Sequence, residues 1–483
     1  MNEITLYPYQ GDAVQSLRTN ILKGLLRQVL IAPTGAGKTI MFSYLVSRSV
    51  QKGKRVLILT DRVELLTQAG GSIAKFGVKV NHINPKNKPN VLDAQVYVSM
   101  AQTLARRLKE QKYVNYLNEV DLVIIDECHK TIFDKYFDYF GKHTIVVGAT
   151  ATPIRTGKQP SLDTLYEGLT EVLSVQEIID LDYLVPARSF AVPVDLSKVK
   201  TKGGDYDSAS LTNHYDNEEL YTGAVENYVK HANNTKALLF CSGVKNSITI
   251  RDQFRMAGIS AEHLDSENVN EKERIDILAR FEAGEFLVLC NVGILTTGYD
   301  CPSIETIILY RATKSLALFL QICGRGSRLF NGKTHYKILD FGNNFVTHGL
   351  WEADREWSLK KEVKTKKSKG ASPIRECNQC EALLPLSASE CEYCGFVFPI
   401  IVKKTTKVLL EELTFDEINK YSDMKGYFIH LGKKAKILGN NHHWIVRQLR
   451  DDKLLLAFAE YKGYGNPAHW TEGVLNRRVN YRA

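Results

Sequence analysis

Residues 32–39 read APTGAGKT, and the run leading into them, 28–31, is QVLI. An apolar strand that ends in a glycine-rich turn and opens into a helix builds a cradle for phosphate. Gly35 and Gly37 let the backbone curl so that its N–H groups face phosphate oxygens. Lys38 can reach the β- and γ-phosphates, and the Thr39 hydroxyl can ligate Mg²⁺. Thr34, Gly35, Ala36, Gly37, Lys38 and Thr39 are therefore the candidate nucleotide-binding residues. Ala32 stands where such loops commonly carry their first glycine.

Around this loop the first 185 residues alternate apolar runs with helical patterns. Strands are expected at 28–32, 55–60, 121–126 and 143–148, with an amphipathic helix over 62–76. Such alternation predicts βαβ units and a parallel sheet. Residues 122–129 read LVIIDECH. This strand delivers two adjacent carboxylates at its C-terminal end, where α/β sheets place their ligands. Asp126 is expected to hold Mg²⁺, and Glu127 to orient the attacking water.

The pattern weakens over 184–233, where the polar stretch TKGGDYDSAS reads as an irregular connection. It then restarts, with strands at 236–241, 286–290, 304–309 and 337–340 and helices at 244–257, 271–283 and 315–323. Residues 321–328 read QICGRGSR. Two arginines three apart share a face if helical. An arginine fork neutralises charge growing on a γ-phosphoryl group better than lysine does. If Arg325 and Arg328 face the first lobe, the triphosphate lies between the lobes.

The chain has 483 residues, 44% of them apolar and 24% charged, which excludes a disordered or fibrous protein. About three domains are expected at this length. No apolar run approaches the ~20 residues of a membrane span. The start, MNEITLYPYQ, lacks the basic and apolar regions of a secretory signal, so a cytoplasmic protein without a membrane partner is expected. Net charge is +9. From Trp351 onward there are 23 Lys+Arg against 17 Asp+Glu, so most of the excess lies in the last quarter. That fits a nucleic-acid partner. KEVKTKKSK at 361–369 reads as a basic tether. Cys377-x₂-Cys380 and Cys391-x₂-Cys394 offer four thiolates for one tetrahedral Zn²⁺, a site with no open coordination position.

Taken together, these motifs resemble those of superfamily 2 helicases and translocases. LYPYQ at 6–10 matches the adenine-side motif, APTGAGKT the first ATPase motif and DECH the acidic box. GATATP at 148–153 matches the motif that couples ATP to nucleic acid. NVGILTTGYDCP at 291–302 and QICGRGSR match signatures of the second lobe. The KILDFGNN stretch and the following cysteine module look most like the RadD-type DNA repair proteins and related phage helicases. Tyr7 stands where that group commonly has Arg.

The resemblance implies an α/β fold of two tandem RecA-like parallel-sheet lobes, then a small zinc ribbon and a basic C-terminal α+β region. The expected boundaries are 1–185, 186–350, 351–373 (basic linker), 374–399 (ribbon) and 400–483. It implies ATP, Mg²⁺ and Zn²⁺ as cofactors. Lys38, Asp126, Glu127, Gln321, Arg325 and Arg328 would carry hydrolysis; Tyr7 and Gln10 would read adenine. Gly298 and Asp300 would couple the nucleotide to the second lobe, and Thr150 and Thr152 would link the acidic box to the strand. Contacts to nucleic acid are expected from Thr60, Arg62, Ser99, Gln102, Ser242, Gly243, Thr296 and Thr297, groups that suit phosphate and sugar rather than base edges. The implied activity is that of a DNA helicase or translocase in repair, recombination or fork processing. DNA, single-stranded or branched, is the expected partner, with RNA as an alternative and a single-strand-binding or recombination protein as a companion. An ATP-gated remodeller of DNA-bound protein, without strand separation, is the competing reading.

Overall fold

A computed structural model describes residues 5–61, 71–155 except 72, 75 and 86, 159–191, 195–360 except 297, 374–398 except 387, scattered positions between 428 and 449, and 452–480. The chain divides into two compact units, Met1–Phe398 and Pro399–Ala483.

The first unit holds two large sheets. In the first, β1 (Arg27–Ile31), β2 (Val56–Thr60), β3 (Asn81–Ile83), β4 (Val96–Met100), β5 (Leu122–Asp126), β6 (Ile145–Thr150) and β7 (Gly168–Glu171) run in the order β3-β4-β2-β5-β6-β1-β7. Every pairing is parallel. Strands buried on both faces must be apolar throughout, and VLILT of β2 and LVIID of β5 are buried along almost their whole length. Because β1 and β5 flank β6, the phosphate loop after β1 and the carboxylates after β5 emerge on the same edge of the sheet.

The second sheet contains β8 (Ala187–Ala191), β11 (Ala237–Cys241), β12 (Ala261–Leu264), β13 (Val288–Asn291), β14 (Thr306–Tyr310) and β15 (Tyr336–Asp340), with a small hairpin, β9 (Thr201–Lys202) and β10 (Asp205–Tyr206), outside it. Its order is β12-β13-β11-β14-β15-β8, all parallel. The two sheets are the tandem RecA-like lobes. Helix Glu271–Ala283 shows how local sequence sets its ends. Asn270 and Glu273 cap each other's backbone N–H groups, and Gly284, at φ +81°, closes the helix in the left-handed region.

One apolar cluster is continuous between the lobes. It runs from Leu30 and Met41 through Leu184 and Val185 to Leu320, Phe240 and Ile338. The cysteine module joins the second lobe directly. Its strands β16 (Ile374–Glu376) and β17 (Leu383–Pro385) are antiparallel, and β17 pairs with β8, so the sheet continues as β15-β8-β17-β16. The Tyr393 hydroxyl donates to the Ala187 carbonyl at 2.8 Å, and the Arg188 guanidinium stacks 4.8 Å from the Tyr393 ring.

Residues 351–360, the first part of the expected basic linker, include packed side chains. Trp351 is buried, and its indole N–H donates to the Leu320 carbonyl at 3.3 Å. The basic run 361–369 lies outside the described residues. The second unit packs Phe428, Leu431, Leu449, Leu455 and Phe458 into its own small core. Its described residues include the helices Asp452–Tyr461 and Pro467–Asn480, and there is no strand among them. No helix among the described residues is long and apolar enough to cross a membrane.

Candidate active site

Gly35 and Gly37 adopt φ of +94° and +80°, conformations that side chains disfavour, and Gly37 starts helix Lys38–Gln51. Gln10 is buried; its amide N–H donates to the Ala36 carbonyl at 3.1 Å, and the Tyr9 hydroxyl donates to the same carbonyl at 3.2 Å. A Cβ on Gly37 would fall 2.4 Å from the Gln10 amide nitrogen. Gly37→Ala therefore meets two penalties, the left-handed φ at about 1–2 kcal/mol and this clash. Nucleotide binding is expected to weaken at least about tenfold, read by titration with a fluorescent ATP analogue; unchanged affinity would dismiss the loop's role.

Tyr7 is half exposed, and its ring lies 4.4 Å from that of Tyr183. The Tyr7 N–H donates to the Gln10 side-chain oxygen at 3.1 Å, which fixes the amide. Tyr7 thus makes an aromatic contact at the position where RadD-type proteins commonly have Arg.

Lys38, Asp126 and Glu127 come together. Lys38 Nζ is 3.2 Å from Glu127 Oε1. Burial opposes the charge on Lys38, yet Glu127 and Asp126 outweigh it and raise the amine's pKa. Burial also opposes charge on Glu127, but Lys38 and His129 hold it below its ordinary range. Asp126 has the reverse balance: burial and then the Glu127 charge push it up to about 6. A carboxyl so placed gains from a nearby cation, and its donor chemistry fits Mg²⁺. Glu127 sits at φ +52°, and its N–H donates to Asp126 Oδ1 at 3.0 Å. His129 Nδ1 lies 2.8 Å from Thr150 Oγ1 and 3.4 Å from Glu127 Oε2. Burial keeps that imidazole below its usual pKa. Thr150 Oγ1 also accepts from the Thr152 N–H at 3.0 Å, so Thr150 meets the acidic box directly and Thr152 is tied to Thr150.

The second lobe reaches this site through a glycine turn. A Cβ on Gly324 would fall 2.5 Å from Thr34 Cβ, and one on Gly35 would lie 3.3 Å from Ser327 Oγ. The QICGRGSR turn thus lies on the phosphate loop. Gln321 is buried on helix Leu316–Cys323. The two arginines turn away into their own lobe. Arg325 donates to the Tyr299 carbonyl and, at 2.8 Å, to that of Thr296, and Arg328 pairs with Asp300. Gly298, at φ +78°, lies within the loop that Arg325 braces.

The proposed strand contacts are mostly inside the protein. Thr60, Ser99, Ser242 and Thr296 are buried. Ser99 donates to the Ile83 carbonyl, Ser242 to Asn246 and Thr296 to the Gly293 carbonyl. At Gly243 the α-carbon faces Thr212 of helix Ser208–Tyr215. Gln102 is exposed, with its amide N–H on the Asp61 carbonyl at 3.1 Å. Arg62 and Thr297 lie outside the described residues. Thr60 and Ser99 lie at the ends of core strands, which turns them inward; among the described residues of this set, Gln102 alone is exposed.

The four sulfurs of Cys377, Cys380, Cys391 and Cys394 lie within 4.8 Å of one another. The Cys377–Cys394 and Cys380–Cys391 separations are 3.6 and 3.7 Å. Thiolates at about 2.3 Å from a tetrahedral ion stand roughly 3.8 Å apart, so the donor set fits one metal. Burial disfavours a thiolate at Cys377, but the N–H groups of Cys380 and Gln379 pull it down to about 7.

Sequence reasoning missed Arg155, whose buried guanidinium holds Asp134 and the His129 carbonyl. Its only signal was a basic residue two places beyond GATATP.

Residues 3–155 match the family described as type III restriction enzyme, res subunit. Residues 221–329 match the helicase conserved C-terminal domain, and 375–399 match an uncharacterised protein family, UPF0547. The chain is 31% identical over 395 residues to the 51.5 kDa protein of a Lactococcus phage (isolate 7-9), covering 80% of this chain and 82% of that one. It is 33% identical over 359 residues to the Saccharomyces cerevisiae protein that bears the name ATP-dependent helicase IRC3, covering 70% of this chain and 51% of that protein. A fragment of an HsdR subunit of a type I restriction enzyme from Vibrio vulnificus YJ016 has the same fold, with a TM-score of 0.53 and 24% identity over 69% of this chain and 63% of that one. The chain belongs to the superfamily 2 helicases and is an ATP-hydrolysing enzyme of that class.

Proposed function

We propose that the chain is a nucleic-acid-dependent ATPase that moves along DNA, serving repair, recombination or fork processing. What carries this reading is the seating of the Gly324–Ser327 turn on the phosphate loop, which makes the ATP cleft bipartite. ATP entering the cleft would draw Lys38 from Glu127 to the phosphates, leaving Glu127 to polarise the attacking water. Thr39 and Asp126 would hold Mg²⁺, which neutralises charge on the phosphates. Arg325 and Arg328 lie one and four residues from the turn's contact with Thr34. They would exchange the Tyr299, Thr296 and Asp300 partners for the γ-phosphate as the lobes close. If each lobe grips the strand differently with and without ATP, each cycle moves it; equal grip in both states moves nothing.

The res-subunit match and the RadD-type resemblance favour DNA over RNA. Zn²⁺ is the ion that the four-thiolate set suits best. A panel of single-stranded, duplex, forked and branched DNA, and RNA, tests the reading, with Lys38→Ala as control. Stimulation of ATPase by DNA at least tenfold above RNA is expected. Equal stimulation by RNA would remove the DNA assignment. Stimulation by DNA without strand displacement, but with displacement of a bound protein, would favour the remodeller.

A further inference from the structure

One guanidinium joins three segments of the first lobe. Arg155 Nε donates to the His129 carbonyl at 2.8 Å, in the turn that follows β5. Its Nη1 and Nη2 form a fork on Asp134 Oδ2 and Oδ1, at 2.9 and 2.6 Å, in the short helix Thr131–Asp138. Nη1 also donates to the Pro160 carbonyl at 3.2 Å. The Arg155 side chain is 1% exposed, so these bonds are shielded from competing water.

The turn it holds is the one that aims Glu127. Positive φ at a glutamate persists only where neighbours over-determine it. Here the Cys128 N–H bonds the Ala149 carbonyl at 3.0 Å, and the Lys130 N–H bonds the Glu127 carbonyl at 3.1 Å. Arg155 adds the grip on residue 129. A lysine there could supply one direction of bonding but not a planar fork.

The Pro160 contact faces the other lobe's extension. After the second sheet the chain crosses back over the first lobe as a strap. At its root, the Arg355 guanidinium donates to the carbonyls of His348, Leu350, Trp351 and Ala353. At its far end, the Leu359 carbonyl accepts from Ser161 Oγ at 2.8 Å and from the Asp163 N–H at 3.2 Å. Trp357 and Leu359 pack against the apolar cluster beneath the first sheet. The strap therefore lands beside the residue whose carbonyl Arg155 holds.

We propose that Arg155 is a positioning residue for ATP hydrolysis, which keeps the acidic-box turn in its working shape and conveys to it whether the 351–359 strap is seated on the first lobe. The proposal rests on the acidic box being the hydrolytic site. Arg155 touches neither nucleotide nor nucleic acid in this scheme; it acts through residues 127–129 and 134. A seated strap fixes 160–163, and the fork transmits that order to Glu127. A lifted strap frees Pro160 and loosens the turn.

Steady-state ATPase of the full chain with single-stranded DNA tests it, on Arg155→Met, Arg155→Lys, Trp357→Ala and the Arg155→Met/Trp357→Ala pair. Arg155→Met is expected to lower kcat at least 20-fold with the KM for ATP within twofold. Arg155→Lys should recover part of that loss. Trp357→Ala should lower kcat at least fivefold, and the double variant should be no slower than Arg155→Met within twofold. A kcat within twofold of the parent in Arg155→Met would overturn the proposal, and so would losses that multiply in the double variant. If Arg155→Met does not fold, Arg155→Lys alone and with Trp357→Ala makes the same comparison, and multiplying losses again overturn it. Lys38→Ala separates the two readings. An active Lys38→Ala would refute the hydrolytic site itself, whereas an inactive one beside a fully active Arg155→Met would refute this inference alone.

Discussion

Lys38→Ala is expected to lower kcat for ATP by about 10³-fold or more while leaving nucleic-acid affinity within a few-fold. The amine is the one cation of the first lobe placed at the phosphate loop by the motif itself. Removing a preorganised charge that meets developing negative charge typically costs 10²–10³ in rate, and this lysine would also help position the phosphates. The same variant has a second signature without nucleotide. Lys38 and Glu127 form a pair with side chains only 17% and 7% exposed. Taking one partner from a buried pair leaves the other charge uncompensated, at about 3–5 kcal/mol. The residual exposure of Lys38 places the expectation at the low end, about 3 kcal/mol.

The sign of the pH dependence follows from the folded-state shifts. Glu127 is held below its ordinary range, against burial, by Lys38 first and then His129. A depressed carboxylate contributes stability above its unfolded pKa, and that contribution is lost as pH falls through the folded value. Without Lys38 that contribution disappears and burial drives Glu127 toward its protonated form. The drop in melting temperature relative to the parent should therefore be large at pH 7.5 and shrink toward pH 4. Thermal denaturation across that range measures it; an equal drop at both ends would mean that the Lys38–Glu127 pair is not what stabilises the free protein.

The parts of the fold that the sequence made legible are those in which one residue type has one use. The strands expected at 28–32, 121–126 and 236–241 lie within a residue or two of β1, β5 and β11, because buried parallel strands are apolar end to end. Strand β4, VYVSM, and β12, AEHL, gave no such run, since each carries a polar residue, and they were not foreseen. The motifs placed Lys38, Asp126 and Glu127 in one cluster because each follows a strand of the same sheet. They could not show that Arg325 and Arg328 turn toward Thr296, Tyr299 and Asp300, since side-chain direction depends on partners far away in sequence. Composition read 361–369 as a tether and the linker boundary was set at 351, where Trp351 and Trp357 sit in a packed stretch before the lysine run. Two tryptophans within seven residues were the overlooked sign, for such rings seldom stay in water.

The cysteine module illustrates the same limit with a larger expected effect. Spacing predicted four thiolates gathered for one metal in a segment too short to bury a core of its own. The structure adds that β17 extends the second sheet by pairing Leu383 with Ser189, and that Tyr393 clasps Ala187 and Arg188. Metal binding to such a module is folding free energy, of order 10–16 kcal/mol in isolated zinc peptides. Cys391→Ser should therefore abolish metal binding, read by atomic emission against an expected one zinc per parent chain, and unfold the ribbon. With β16 and β17 gone, β8 becomes an open edge with unpaired backbone groups beside buried Leu339 and Ile338, a template for association between chains. The expected result is a melting temperature lowered by at least about 5 °C, given that a domain of this size shifts by about 2–4 °C per kcal/mol, together with concentration-dependent light scattering. Loss of the ion without any change in melting would mean that the ribbon only leans on β8. Loss of stability with the ion retained would mean that Cys391 packs rather than ligates, against the 3.7 Å Cys380–Cys391 separation that a shared ion explains.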